Sequence, residues 1–345
     1  MNGVSRRKFA VGAGLAALFA ASGTPVRAAA LIDLSPQSLE RFRRKARDLG
    51  VRALVVATSE RTLLSDGAVA EPSRIASIRK SILSTLYGMA VAEGRVSLDT
   101  SLGELGVDDY QPLTDLEKRS TIRNLLQARS GVYIPSSAET AAMKAARPAR
   151  GSHVPGSFWY YNNWDFNVLG EVYQRVTGEG LFTAVEHRLA KPLGWRDFDP
   201  LAHMRWGYDP EFPRFPAYNI WMSARDLARF GQLFLCHGRW NGRQILPQNW
   251  VAESMTPFSI TDRTGWRSGY GYMWWVASER DGASAEGLPV GAYTAAGNGG
   301  RYVTVFPDHD LVVAIQPDEK EGQPPVELYS NADAYTNLLR LLFRL

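Results

Sequence analysis

The chain has 345 residues, of which 45% are hydrophobic and 11% aromatic. This composition is typical of a globular protein with a buried core, and it excludes disordered, collagen-like and coiled-coil proteins. The formal net charge of +4 comes from four basic residues in the first 30 positions, a segment without Asp or Glu. The rest of the chain is therefore neutral, which argues against a nucleic-acid partner. The length fits two domains, or one catalytic domain with a large insertion.

Cysteine and histidine content argues against a metal site. Cys236 is the single cysteine, so an intrachain disulfide, a thiolate zinc site and an iron–sulfur cluster are all excluded. The histidines are widely spaced, and no two of them are four residues apart as in a zinc-binding helix. We therefore expect no metal and no other cofactor.

The first 30 residues have the pattern of an export signal. Arg6, Arg7 and Lys8 precede an apolar run at 9–21, and three alanines at 28–30 suit a signal peptidase. The run is too short for a stable membrane anchor, and the paired arginines resemble the twin-arginine signature. We expect a periplasmic or secreted protein whose mature chain has no stable anchor. A cytosolic amphipathic N-terminus is the alternative.

The next part of the chain is predicted to contain two helices and a pair of strands. Apolar residues at helical spacing predict helices over 37–48 and 77–93. An apolar run and a following β-prone segment predict paired strands over 51–57 and 62–65. Between about 96 and 215 the pattern changes to short helices in long loops, which we interpret as an insertion.

The remaining sequence is mostly β-prone between two helices. Ser223 is a plausible N-cap, with Asp226 at the third position of the first turn. Because strands at the front and at the back flank a helical middle, we expect one antiparallel sheet flanked by helices, an α+β (mixed α/β) fold. The predicted elements are helices at 223–236 and 331–345 and strands at 269–277, 293–296, 302–306 and 311–315. The predicted parts are the signal at 1–30, a sheet part at 31–95 and 216–345, and a helical subdomain at 96–215.

Ser77 and Lys80 form an S-x-x-K motif at the start of the second predicted helix. Residues three apart share a helix face, so the lysine amine can approach the serine hydroxyl near the positive end of the helix dipole. This arrangement suits a nucleophile with a lysine base whose pKa is lowered by its surroundings. The alternative is a helix-capping serine with a solvated lysine.

A second motif, Pro-Gly followed by a tyrosine and an asparagine, occupies 155–163. A phenol and an amide two residues apart on a loop can reach a serine–lysine pair, and the phenol can relay a proton to a leaving group. The alternative is an aromatic packing cluster.

A third motif of small residues, 293–300, leads into the strand that begins at Tyr302. Small residues let a strand edge lie against a substrate, and a backbone N–H there can join that of Ser77 in stabilising an oxyanion. Glycines at an ordinary hairpin would give the same pattern.

In this order and at these separations, the three motifs resemble the serine β-lactamase and penicillin-binding-protein superfamily. The resemblance is closest to its class C, esterase and 6-aminohexanoate-dimer-hydrolase branch. Segments 121–132 and 222–231 resemble the family's "TIRxLL…SG" segment and "SARDLARFG" helix. The resemblance covers about residues 50 to 345 and implies a β-lactamase/transpeptidase-like fold with an inserted helical subdomain.

The resemblance also implies a role for each catalytic side chain. Ser77 would be acylated, Lys80 would take its proton, and Tyr161 would pass a proton to the leaving group. Asn163 would hold Lys80 and a carbonyl or amide of the substrate. Residues 160–162 also fit Y-x-N, but the family's spacing from the Pro-Gly pair selects Tyr161.

The resemblance places the oxyanion hole between the helix start and the third motif. Its donors would be the backbone N–H groups of Ser77 and of Asn298, the residue that follows the motif glycine, Gly297.

One departure from the family concerns substrate binding. Where β-lactamases and peptidases carry Lys or His followed by Thr or Ser, this chain has Ala295 and Ala296 before Gly297. The cation and hydroxyl that hold a substrate carboxylate are missing, and charge-assisted hydrogen bonds contribute roughly 1.5–3 kcal/mol each. This argues against efficient recognition of β-lactams or D-Ala-D-Ala. Arg301 is a substitute cation if its side chain points toward the site.

Aromatic residues are concentrated around the motifs. They either line an apolar acyl pocket or belong to the core. These residues are Trp159, Tyr160, Trp164, Trp221, Trp274 and Trp275.

We expect an exported serine hydrolase that cleaves a small ester, amide or peptide-like substrate through a Ser77 acyl-enzyme. A true β-lactamase or D,D-peptidase is the alternative among enzymes. A catalytically silent binding protein that keeps the scaffold is the alternative outside enzymes. The sequence predicts neither the substrate's identity nor the oligomeric state.

Overall fold

The computed structural model describes residues 31–212, 214–278, 288–318 and 332–344. The predicted export signal, residues 1–30, lies outside the described residues. Among the described helices, none combines the length and the apolar character needed to cross a bilayer.

The main sheet joins strands from both ends of the chain. Eight strands of the described residues pair in the order β3-β2-β14-β13-β12-β11-β10-β9, and every neighbouring pair is antiparallel. A smaller sheet has the order β4-β6-β5, and two-stranded pairs are β1-β15 and β7-β8. The strands are β1 Leu31–Ile32, β2 Val51–Ala57, β3 Thr62–Gly67, β4 Ser73–Arg74, β5 Met204–Gly207, β6 Ala217–Met222, β7 Arg239–Trp240, β8 Arg243–Gln244, β9 Ser259–Ile260, β10 Gly269–Tyr270, β11 Trp275–Val276, β12 Tyr293–Gly297, β13 Arg301–Phe306, β14 Leu311–Pro317 and β15 Phe343–Arg344.

Helices cover both faces of this sheet. Gly231 of α8 lies against Val303 and Val312, so α8 packs on the face to which these two side chains point. Thr304 points the other way and contacts the Tyr335 hydroxyl of α10 at 2.6 Å, which places α10 on the opposite face with α1. The helices are α1 Pro36–Asp48, α2 Ile78–Ala92, α3 Ile122–Leu126, α4 Ala141–Ala146, α5 Asn163–Thr177, α6 Leu181–Ala184, α7 Lys191–Leu193, α8 Ala224–Leu235, α9 Gln248–Ser254 and α10 Ala332–Arg340.

The second helix, α2, is at the centre of the molecule. Every residue from Ile78 to Ala90 is buried, and the helix contacts α5, β6, β12 and β13. Its low amphipathicity follows from this position, because a helix that is surrounded by protein has no solvent face to make polar. The start of α2 is therefore held rigidly between the sheet and the helical block.

The expectation of one antiparallel sheet with helices on its faces is confirmed, and two predicted elements are wrong in detail. The strand predicted over 269–277 is a hairpin of β10 and β11, because Met273 adopts a positive φ of 60° and Gly271 N–H bonds to the Trp274 carbonyl. The helix predicted over 331–345 ends at Arg340, and the chain then forms β15 against β1. Periodicity does not detect such a pairing, since it depends on Leu31 and Ile32, which are 313 and 311 residues before their partners. The predicted helical block also contains β5.

Candidate active site

The first motif lies where the small sheet meets α2. Strand β4 pairs with β6, and the Ile75 N–H continues this contact by bonding to the Ile220 carbonyl at 3.0 Å. Ala76 then takes a φ of 48°, a conformation that is costly for a residue with a Cβ. Ser77 follows at the N-cap position, but its hydroxyl caps no backbone N–H. The alternative of a capping serine is therefore wrong.

Lys80 contacts the other three predicted side chains of the candidate site. Its side chain is only 1% exposed, so the alternative of a solvated lysine is also wrong. The Nζ atom lies 2.8 Å from Ser77 Oγ, 2.7 Å from Tyr161 OH and 2.8 Å from Asn163 Oδ1. These three contacts use all the hydrogen-bonding directions of the amine. The structure thus brings the four predicted side chains together around one nitrogen.

The surroundings of Lys80 favour the neutral amine. Burial lowers the pKa of Lys80 well below its ordinary value, and the neighbouring positive charge of Arg79 lowers it further. The three partners of the amine are a hydroxyl, a phenol and an amide, so none of them supplies a negative charge. A neutral amine has a lone pair that can accept a proton, as a general base requires.

Tyr161 reaches the lysine from an aromatic enclosure. Its ring stacks on Trp275 with centroids 5.4 Å apart and contacts Phe166 at 5.1 Å. The Lys80 nitrogen lies 4.3 Å from the centre of the Tyr161 ring. Burial raises the pKa of Tyr161 above its ordinary value. The phenol therefore keeps its proton at neutral pH and can donate it.

The contacts of the two candidate Y-x-N pairs separate them clearly. Tyr161 and Asn163 both contact Lys80, and Asn163 is the first residue of α5. Tyr160 instead donates to the Met143 carbonyl at 2.8 Å, and the Asn162 side chain caps α5. The later pair faces the lysine because α5 begins at Asn163, and the earlier pair has a structural role.

The third motif lies beside residues 75–77, the loop that leads into α2. A Cβ atom at Gly297 would collide with the Ile75 carbonyl oxygen and would lie 3.3 Å from the Ala76 Cβ. Strand β12 therefore approaches the loop as closely as a glycine allows. Gly297 and Asn298 line the same cavity as Ser77. Their role in an oxyanion hole stays a prediction.

The two alanines of this motif point in different directions. Ala295 is 1% exposed and pairs across the sheet with Val303, in the core. Ala296 lines the cavity next to Tyr302. Arg301 also lines this cavity and donates from Nη1 to the Asn298 carbonyl at 2.6 Å.

The cavity around Ser77 is rich in guanidinium groups. Its volume is about 590 Å³, and among the described residues its one carboxylate is Glu139, which is paired with Arg147 at 2.5 Å. The Arg267 Nε–H is buried without a hydrogen-bond partner among the described residues. Burial, together with the charge of Arg263, lowers the pKa of Arg267. The cationic lining consists of Arg74, Arg79, Arg263, Arg267 and Arg301.

Comparisons with known proteins identify the family of the chain. The sequence model of the Beta-lactamase family matches residues 49–334. The chain belongs to the beta-lactamase family.

Individual relatives of this beta-lactamase-family chain are distant. An uncharacterized protein of Alkalihalophilus pseudofirmus is 23% identical over 72% of this chain and 74% of that protein. Esterase EstB of Burkholderia gladioli is 29% identical over 36% of this chain and 37% of EstB. A protein described as a 6-aminohexanoate-dimer hydrolase from Bacillus anthracis superposes with a TM-score of 0.62 at 20% identity, covering 86% of this chain and 79% of that structure. The fold is thus β-lactamase/transpeptidase-like.

Some of the aromatic residues around the motifs belong to the core, and others line a cavity. Trp164 and Trp274 are fully buried core residues. Trp275 lines the cavity around Ser77, and Trp159 and Tyr160 line a second, neighbouring cavity. Trp221 lies elsewhere, 4.3 Å from the Arg205 guanidinium.

Asp165 is a buried side chain of the site region that the sequence reasoning missed. Its Oδ1 accepts from Ser130 Oγ at 2.6 Å and from Asn162 Nδ2 at 2.8 Å, just behind the Tyr161–Asn163 segment. Burial raises the pKa of Asp165 well above its ordinary value. An acidic residue in the first turn of a helix is common, so its position alone carried no signal.

Proposed function

We propose that this beta-lactamase-family serine hydrolase is an exported enzyme that cleaves an ester or amide through a Ser77 acyl-enzyme. The observation that carries the proposal is the contact of one buried, pKa-lowered amine, that of Lys80, with Ser77, Tyr161 and Asn163. The names of EstB and of the 6-aminohexanoate-dimer hydrolase support a hydrolase that is not restricted to β-lactams.

The proposed reaction begins with proton transfer from Ser77 to the neutral amine of Lys80. The Ser77 oxygen forms a bond to the substrate carbonyl carbon, and the carbonyl oxygen takes up the negative charge. The N–H groups of Ser77 and Asn298 stabilise this oxyanion. Tyr161 donates a proton to the leaving oxygen or nitrogen as its bond to carbon breaks, and Lys80 restores the phenol proton. A water molecule then attacks the acyl carbon and gives a proton to the neutral Lys80 amine. The bond from the Ser77 oxygen to the acyl carbon breaks, and Lys80 returns the proton to the Ser77 oxygen.

The experiment that tests this proposal replaces the nucleophile and a matched serine. Ser77→Ala abolishes both hydrolysis of p-nitrophenyl acetate and labelling by a fluorophosphonate. Ser84→Ala is the control, because Ser84 is a buried serine of the same helix whose hydroxyl has no partner among the described residues. The control keeps its label, and both variants keep the circular dichroism of the parent. A label that persists in Ser77→Ala removes Ser77 from the mechanism.

A second candidate function is hydrolysis of β-lactams or D,D-peptides. The guanidinium groups of the cavity favour it, since these substrates carry a carboxylate. The alanines at 295 and 296 oppose it. Turnover of nitrocefin at a rate comparable to that of p-nitrophenyl acetate would favour this candidate over the first.

Export is proposed from residues 1–30 alone. Replacing the paired arginines at 6 and 7 by lysines is expected to move the protein from the periplasmic to the cytoplasmic fraction of the expressing cell. An unchanged distribution would contradict a twin-arginine signal.

A further inference from the structure

Helix α4 has an apolar side that is left largely open by the part of the chain that the structure describes. None of the residues of Ala141–Ala146 is buried. Ala142, Met143 and Ala146 fall on one side of the helix by their spacing, and all three line a cavity of about 800 Å³. A short surface helix in a globular protein ordinarily packs such a side on the core. Here the side is open to the cavity instead.

The rest of this cavity is lined by large apolar and aromatic side chains together with polar ones, which are Arg129, Thr140, Ser157, Ser259, Thr261, Asp262 and Arg263. Phe158 is 42% exposed and Ile260 is 52% exposed, although both are large apolar side chains that burial would stabilise. Trp159 is held behind them against Tyr270 and Trp275. The apolar and aromatic lining consists of Ala142, Met143, Ala146, Phe158, Trp159, Tyr160, Tyr161, Phe258 and Ile260.

This cavity adjoins the cavity around Ser77. Thr140, Met143, Tyr161 and Arg263 line both. The Tyr161 hydroxyl at the boundary is 2.7 Å from Lys80 Nζ. A group bound in the second cavity is therefore adjacent to a bond that is broken at Ser77.

We propose that the second cavity binds a large apolar group of the substrate, of an alkyl or aryl kind, next to the scissile bond. This proposal rests on the proposed function and specifies its substrate class. The volume lies within the range of about 300–1,000 Å³ of small-molecule sites. The open side of α4 and the exposed Phe158 and Ile260 gain their missing burial only when such a group is bound.

The test uses two series of esters on the full protein. One series is p-nitrophenyl esters with acyl chains from acetate to octanoate, and the other is alkyl acetates with alcohols from methyl to octyl. In one of the two series, kcat/KM rises about two- to fourfold per methylene until the cavity is filled. The series that shows the rise identifies the group as acyl or as leaving group. A flat profile in both series overturns the proposal.

Variants of α4 connect the preference to this cavity. Ala142→Phe fills the cavity and is expected to lower the ratio of kcat/KM for the eight-carbon and two-carbon substrates at least tenfold. Ala145→Phe is the matched control, because Ala145 is exposed on the same helix and lines neither cavity. Its ratio stays at the parent value. Ala146→Phe serves as a second blocking variant, and an unchanged ratio in folded blocking variants overturns the proposal.

Failure of the apolar site can be distinguished from failure of the proposed function. A flat chain-length profile of the parent protein in both series, with intact Ser77-dependent acetate hydrolysis, refutes only the apolar site. Absence of hydrolysis and of Ser77 labelling in the parent protein refutes the proposed function itself.

Discussion

Replacing Gly297 by alanine tests whether strand β12 supplies an oxyanion donor. Gly297 does not have a positive φ, so alanine is allowed by the backbone and only the available space opposes it. The added Cβ falls well inside 3.0 Å of the Ile75 carbonyl oxygen, a separation that real Cβ atoms essentially never show. Either the loop at 75–77 or β12 must move by several tenths of an ångström. A catalytic constellation tolerates about 0.5 Å.

The expected effect of Gly297→Ala follows from the donor at Asn298, which directly follows β12. Moving the Asn298 N–H away from the oxyanion approaches the loss of one donor, which costs about 10²–10³ in kcat. We expect kcat for p-nitrophenyl acetate to fall about 10²-fold with KM within threefold. Gly180→Ala is the control, because its Cβ makes only an ordinary 3.5 Å contact with Thr183. A folded Gly297→Ala variant with kcat within twofold of the parent would refute the oxyanion assignment.

Further predictions concern protonation, packing and charge. The pKa of Lys80 is lowered, so its amine becomes neutral as the pH rises through that pKa, and the acidic limb of kcat/KM lies well below pH 10.5. The pKa of Tyr161 is raised, which keeps the alkaline limb above pH 10. The Lys80→Arg variant keeps its charge and is expected to be inactive at every pH tested. Gly88→Ala places a Cβ on the Trp250 indole and is expected to lower the free energy of unfolding in urea by about 1–3 kcal/mol; an unchanged midpoint would contradict this packing. Arg267→Gln is expected to lower kcat/KM for a half-ester of a dicarboxylic acid about tenfold more than kcat/KM for a neutral ester of equal length. An equal loss for the charged and the neutral ester would contradict an anion-binding role of Arg267.

The sheet was predictable because its central strands carry a strong local signal. Strand β2, Val51–Ala57, is buried from Ala53 to Ala57 and is paired on both edges, and it reads in the sequence as an apolar run with the same bounds. Helix α8 was predictable from its Ser223 cap, which accepts from Asp226 N–H as expected. Strand β15 was not predictable, because its pairing with the distant β1 leaves no periodic pattern in the sequence. The hairpin at 269–277 was not predictable either, because the positive φ of Met273 leaves no such pattern.

The candidate catalytic side chains were predictable only as a set of motifs. The S-x-x-K motif at Ser77 is also common as a capping serine with a solvated lysine, and what sets this one apart is the contact of the buried Lys80 with Tyr161, 81 residues away. Sequence spacing gave no information on this distance, so the resemblance had to supply it. The role of α4 was not predictable, since TAAMKAA at 140–146 has no periodic apolar pattern strong enough to stand out within the loop-rich middle block.

Substrate charge is the property on which the sequence and the structure lead to different expectations. Ala295 and Ala296 stand where the family carries Lys or His followed by Thr or Ser, so this strand lacks the usual cation and hydroxyl. The cavity, however, receives positive charge from Arg263 and Arg267, which precede β10 on a separate segment, and from Arg301 on β13. A cation in a partly desolvated cavity attracts a carboxylate whichever strand carries it. Without the family's cation, an acidic group of a substrate would bind at a different place relative to Ser77. That place decides which esters or amides bring their carbonyl carbon to the serine oxygen.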